Sequence, residues 1–162
     1  MSGPERPAVS LRLATRSDLA ALSAIRLGPG QDNFVSTFDD WPDAARDLSH
    51  LHIIVADGSA VGFFRIDPEF QHRDPRLPDG THGLRGLLID AARQGQGIGH
   101  AAFTALPDHL RSTYPELDAV WLTVDTPNTS AIRLYEATGW QRSPLGRFIG
   151  PGGPEWIYRL PI

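Results

Sequence analysis

No cysteine and no lysine occur among the 162 residues, and there is a single methionine. Without thiols, disulfides, thiolate zinc sites and covalent thiol catalysis are excluded, so any acyl transfer is direct or uses another nucleophile. Without lysine, the Walker phosphate loop is excluded, since it requires Gly-Lys followed by Ser or Thr. Only the amino terminus is left as an amine that the chain could modify on itself. All 15 basic residues are arginines, scattered without a cluster, and the formal net charge is −4. This balance argues against an extended phosphate-tracking surface, and no nucleic-acid partner is expected. No apolar run approaches the roughly 18 residues needed to span a bilayer, and residues 1–9 lack the basic and apolar regions of a signal peptide. A cytoplasmic protein without a membrane partner is expected.

What remains is ordinary for one globular domain: 41% hydrophobic and 21% charged residues. Residues 1–8 carry two prolines and a glycine and read as a flexible leader, leaving 9–162 as the domain. Val9 to Leu13 alternates as a half-buried strand does, and Thr15 to Asp18 supplies helix-start chemistry ahead of Leu19, Leu22 and Ile25. Gly28-Pro29-Gly30 ends that helix, and a short helix is expected near Pro42. The apolar runs 52–56 and 60–66, joined through Asp57-Gly58, predict a hairpin. A polar stretch from Asp67 to Gly83 is too long for an ordinary hairpin loop. Beyond it a strand over 82–90, a helix over 97–114, a strand over 119–124 and a short helix over 129–138 are predicted. Pro107 should kink or break the longer helix. Weaker closing strands are expected over 140–145 and 155–160.

Between the strand at 84–89 and the helix after it lies Arg93-Gln94-Gly95-Gln96-Gly97-Ile98-Gly99-His100. Glycines at such a junction let backbone N–H groups approach a ligand, and the first helical turn adds unpaired donors and partial positive charge. An anion such as a pyrophosphate suits this place. The dinucleotide fingerprint Gly-x-Gly-x-x-Gly, counted from Gly95, needs glycine at 100, where His stands. A second segment, Asn128-Thr129-Ser130-Ala131-Ile132-Arg133-Leu134-Tyr135-Glu136, puts Asn128 and Tyr135 about two helical turns apart on one face.

Gln94-x-x-Gly97-x-Gly99, followed at suitable spacing by Asn128, Ala131, Leu134-Tyr135-Glu136 and Gly139-Trp140, resembles the GCN5-related N-acetyltransferase family. The resemblance implies an α/β (α+β) fold. It consists of a mixed central sheet of six to seven strands flanked by about four helices, splayed in the middle to hold acetyl-CoA. It also implies a pyrophosphate loop at Gln94, Gly95, Gln96, Gly97, Gly99 and His100, pantetheine contacts along Leu87 and Ile89, and Asn128 beside the cofactor. Tyr135 would then lie near the sulfur. The reaction implied is direct acetylation of a primary amine on a small molecule or peptide, by a monomer or homodimer. A binding module that keeps acetyl-CoA but has lost the chemistry is the alternative.

An alkylamine, with pKa near about 10.4, must lose a proton before it attacks, and the departing thiolate benefits from gaining one. Tyr135 suits the second task. The base is left open. Many members of the family carry Glu in a Leu-Glu-Val segment before the asparagine, but Leu122-Thr123-Val124 stands here. Asp90, Asp125 and His82, at strand ends, are the candidates, with Asp67 and Glu69 in reserve. Asp32, Phe34, Phe38, Asp39, Asp40 and Trp41 mix acidic and aromatic groups, a composition suited to a cationic amine. His72, Asp74, Asp79 and His82 lack any recognised ligand spacing, and no metal is expected.

Overall fold

The computed structural model describes residues 6–29 and 37–162. Seven strands form one sheet in the order β1-β2-β3-β4-β5-β7-β6. They are β1 (Val9–Leu13), β2 (Leu51–Ala56), β3 (Ser59–Asp67), β4 (Gly83–Ile89), β5 (Ala119–Asp125), β6 (Gln141–Gly150) and β7 (Gly153–Pro161). Three α-helices are found among the described residues: α1 (Leu19–Ala24), α2 (Ile98–Thr113) and α3 (Thr129–Ala137). Near Pro42 the chain forms a four-residue 3-10 turn, Asp43–Arg46, rather than a further α-helix. Among the described residues no helix is long and apolar enough to cross a membrane.

Local chemistry accounts for most of these elements. The β2–β3 hairpin turns through Asp57 (φ 50) and Gly58 (φ 82), the left-handed pair that matches the twist of the flanking strands. Ala8, within the expected leader, is tied to that turn by its N–H to Asp57 Oδ1 at 3.1 Å. Helix α2 supplies the crossover that a parallel pair such as β4–β5 requires. Of the expected kink or break, the break does not occur: α2 continues through Pro107. One hydrogen bond is lost there, but Ala102, Phe103, Leu106 and Leu110 are buried on either side of the proline and hold both halves to the sheet. The closing strands are longer than their composition suggested, pairing from Gln141↔Arg159 to Gly150↔Gly153.

The sheet has two differently built faces. Val120, Leu122 and Val124 join Phe103, Leu106, Tyr135 and Trp140 in the main core beneath α2 and α3. Leu22, Phe38, Trp41, Leu51, Ile53, Phe63 and Leu88 form a second core on the other face, under α1. Since successive side chains of a strand point to opposite faces, Thr123 and Asp125 stand on the face away from α2 and α3.

Two irregularities open the middle of the sheet. β4 and β5 share a single bridge, Gly83↔Trp121, and diverge beyond it. Between Phe63↔Leu88 and Arg65↔Arg85, two residues of β4 oppose one of β3, forming a bulge. Gly86 lies in it at φ 68, where a Cβ would run into the Trp41 ring, so both backbone and space require glycine.

Candidate active site

The divergence of β4 and β5 creates a cleft of about 1090 Å³. Its walls include Leu87 and Ile89 of β4, Thr123 and Asp125 of β5, Asn128 and Tyr135 of α3, and Glu155 of β7. Gln94 lies at the loop side, and its Nε2 donates to the Ile89 carbonyl at 2.9 Å, fastening the loop to the end of β4.

The glycine loop has the shape a phosphate needs. Gly95 and Gly97 take φ values of 78 and 79, and a Cβ at either would meet no protein atom within 4 Å. Gly97 is also the N-cap of α2, whose 16 residues present unpaired N–H groups and a positive dipole end to that space. These residues fit an acetyl-CoA pyrophosphate. Gly99 serves packing, since a Cβ there would lie 3.3 Å from Ile89 Cδ1. Gln96, Gly97 and His100 border a smaller adjoining depression with Arg6 and Pro7.

Asn128 combines two roles that the sequence left as alternatives. Its Oδ1 accepts from Ala131 N at 3.4 Å as the cap of α3, and the residue also lines the cleft. Tyr135 is buried, its ring set against Phe103, Trp140 and Tyr158 at centroid distances of 5.6, 5.9 and 6.3 Å. It lines the cleft, and burial pushes its hydroxyl well above the ordinary tyrosine range. The hydroxyl therefore stays protonated near neutrality and is available as a hydrogen-bond donor, though burial makes it a weaker acid than an exposed tyrosine.

Of the three residues considered as a base, only Asp125 reaches the cleft. His82 lies at the start of β4, beside the bridge where the strands are still joined. Its carbonyl accepts from Trp121 N, its Nδ1 is 2.9 Å from the Gly80 carbonyl, and its ring packs against Tyr114. Asp90 accepts from Arg26 N at 3.3 Å and caps the 3-10 turn Ala91–Arg93. Asp67 does not line the cleft and is paired with Arg85 at 3.0 Å and Arg65 at 3.6 Å. Glu69 pairs with His72 at an exposed position.

Sequence reasoning missed Glu155. It is 8% exposed, lines the cleft, and lies 3.7 Å from the Arg73 guanidinium. Burial pushes its carboxyl up, opposed by hydrogen bonding from the Thr123 side chain and by the charge of Arg73. Asp125 is paired with Glu155 across β5 and β7, and Thr123 is two residues from Asp125, so all three share one face. A carboxylate from the neighbouring strand thus stands beside the threonine. No sequence signal marked it, because β7 lies next to β5 only through the strand order.

The acidic and aromatic segment is placed differently from its expected role. Phe38 and Trp41 are core residues, 5.6 Å apart by ring centroids, though Trp41 also borders the cleft. Asp39 accepts from Ser23 Oγ at 2.7 Å and Asp40 from Thr37 Oγ1 at 2.7 Å, and neither lines the cleft. Asp32 and Phe34 lie outside the described residues. Among the described residues no group of three or more His, Cys, Asp or Glu is placed to hold a metal ion.

Comparison with known proteins agrees with this geometry. The model of the Acetyltransferase (GNAT) family matches residues 18–140. The chain is 35% identical over 115 residues to the N-alpha-acetyltransferase RimI of Mycobacterium tuberculosis, covering 67% of this chain and 66% of that protein. It is 25% identical over 137 residues to the spermine/spermidine N(1)-acetyltransferase of Bacillus subtilis, covering 82% and 88% respectively. Its fold superposes on AAC(6')-Ib in complex with paromomycin and acetyl-CoA with a TM-score of 0.74 and 25% identity, over 95% of this chain and 93% of that one. Transfer of an acetyl group from acetyl-CoA to a primary amine is the activity these comparisons support.

Proposed function

The chain belongs to the Acetyltransferase (GNAT) family, and we propose that its cleft carries out that transfer with Tyr135 as proton donor and Glu155 as proton acceptor. The observation that carries this reading is the single bridge between β4 and β5, beyond which the opening is lined by Gln94, Asn128, Tyr135 and Glu155 together. The glycine loop and Asn128 hold the donor, with Leu87 and Ile89 flanking it along β4. When bound, acetyl-CoA supplies the acetyl group and a thiol leaving group.

Glu155 receives the proton of the incoming amine, directly or through water. Its raised pKa makes it a stronger base than an exposed glutamate. Asp125, paired with it across the strands, is the second carboxylate within the cleft. Tyr135 gives its proton to the departing sulfur, a role supported by its place in the cleft wall and by its hydroxyl being protonated at neutral pH. One proton passes from nitrogen to Glu155 and one from Tyr135 to sulfur, so the protein's net charge is unchanged, and the starting state is restored when Glu155 gives up its proton and Tyr135 regains one. A cytoplasmic setting belongs to the same proposal, because the donor is an intracellular thioester.

A module that only binds acetyl-CoA was suggested by Thr123, but Glu155 beside that threonine favours catalysis. The test is release of free coenzyme A thiol when protein, acetyl-CoA and a panel of primary amines are combined. Amine-dependent release is expected. Stabilisation by acetyl-CoA without thiol release from any amine would assign the protein to the binding class.

A further inference from the structure

The face of the cleft away from α2 and α3 carries three arginines that the sequence shows only as scattered residues. Arg65 of β3 and Arg85 of β4 are direct cross-strand partners, so their side chains leave the same face of the sheet. Arg73 comes from the loop between those strands, and all three line the cleft. Like charges placed directly opposite each other destabilise a sheet, and the arrangement is kept here all the same.

Each of these guanidinium groups has a carboxylate within ion-pair distance, but one carboxylate serves two of them. Asp67 is outside the cleft lining and is shared between Arg65 and Arg85. Glu155 is the sole ion-pair partner of Arg73 among the described residues, at 3.7 Å. Asp125 attracts Arg73 but forms no ion pair among the described residues. Arg73 Nε is buried with no hydrogen-bond partner among the described residues. Arg73 is nonetheless held in place, its guanidinium 5.3 Å from the centroid of the Phe148 ring and 5.7 Å from that of Phe70. Burial and the charge of Arg85 lower the pKa of both Arg65 and Arg73, as expected where cations are gathered without full compensation.

The donor does not account for this cluster. Its phosphate cradle lies at the opposite end of β4, at the N-terminus of α2, whereas Arg85 is near the start of the strand. Arginine presents a planar fork suited to a carboxylate, and two forks from neighbouring strands make a receptor for one.

Resting on the acetyltransferase reading above, we propose that the acceptor is a small amine that also bears a carboxylate, with Arg65, Arg85 and Arg73 receiving the carboxylate and Glu155 facing the amine. This assignment reverses the charge expected from Asp32, Asp39 and Asp40. It also places the acceptor's anion and amine on one face, so an amino carboxylate satisfies both arginine and glutamate. A polyamine would bring only positive charge to a wall whose three arginines share two ion-paired carboxylates.

The test compares kcat/KM, by thiol release, for a panel of amino acids, their carboxamides and spermidine. The amino acids should exceed their carboxamides by about tenfold or more, since losing one charge-assisted contact costs that much. In Arg85→Gln, and in the milder Arg85→Lys, most of the change should fall on KM for the amino acid. The ratio between amino acid and carboxamide should shrink towards one in Arg85→Gln and fall less in Arg85→Lys. Arg85 is partly exposed, and an unchanged melting temperature would exclude misfolding as the cause. A preference for spermidine or the carboxamide, or a ratio unaltered by Arg85→Gln, would overturn the proposal while leaving acetyl transfer intact. Thiol release from none of the three classes, with acetyl-CoA still stabilising the protein, would instead overturn the transferase reading and this proposal with it.

Discussion

In the proposed reading, the two sides of the cleft recognise their ligands by different means. On the donor side the work is done by backbone: two left-handed glycines, the N-terminus of α2 and the splayed edge of β4, with Asn128 as cap. On the acceptor side it is done by charged side chains from β3, β4, β7 and a loop, namely Arg65, Arg85, Glu155 and Arg73. A backbone cradle suits a ligand common to a whole family, since it depends on chain geometry and tolerates change in the side chains around it. A set of charges suits a particular ligand, because charge and shape discriminate between amines.

The largest effect should come at the boundary between the two sides. Tyr135→Phe keeps the ring packing and removes the proton, so kcat should fall by about 100-fold or more, in the usual range for a lost general acid. KM for acetyl-CoA should stay within about twofold, since no binding contact of the cradle is removed. Equal turnover would place the proton donor elsewhere. Glu155→Gln should lower kcat by about 10- to 100-fold and remove the acidic limb of the pH–rate profile. The sign follows from its role: a base must be ionised, so activity rises as pH climbs through the raised pKa of Glu155. A limb that persists in the variant would point to Asp125.

A smaller change should separate the two sides directly. Gly97→Ala forces a side chain into φ 79, a conformation that costs about 1–2 kcal/mol. KM for acetyl-CoA should rise by about 5- to 30-fold while KM for the amine is unaltered. A matching rise in both would mean that the cradle and the acceptor site are not independent.

The smallest effect concerns a buried polar cluster that belongs to neither side. His52 is fully buried, stacked on Phe64, with Nδ1 2.7 Å from His109 Nε2 and Nε2 3.1 Å from the Tyr114 hydroxyl. Burial lowers its pKa to about 3. Between the ordinary histidine range and that value, the unfolded chain takes up a proton that the native one refuses, so stability falls as pH falls. The slope contributed is at most about 1.4 kcal/mol per pH unit. Urea unfolding from pH 7 to pH 4 should show it, and His52→Gln should flatten it. An unchanged slope would assign the acid sensitivity to other groups.

Several elements were readable because their causes are local. β1 begins and ends where its alternation does, Asp57-Gly58 makes the turn its residues favour, and the glycine loop leads into α2 as its spacing required. The arginines and Glu155 were not readable, because 82 residues separate Arg73 from Glu155 and they meet only through the strand order and the loop after β3. His82 illustrates the same limit within one strand. Its position at a strand end was correctly read, but which end of β4 parts from β5 is a property of the pair.

The sequence by itself therefore determined the chemistry of the donor: the glycine loop, Asn128 and Tyr135 occur within 42 consecutive residues, from Gln94 to Tyr135, and local geometry dictates what they can hold. Only the tertiary structure decided the acceptor side as proposed. The single bridge between β4 and β5 opens the sheet, and the placing of β3 and β7 on either side brings distant cations and a buried carboxylate to one face. Electrostatic recognition depends on distance through space, which position along the chain does not encode.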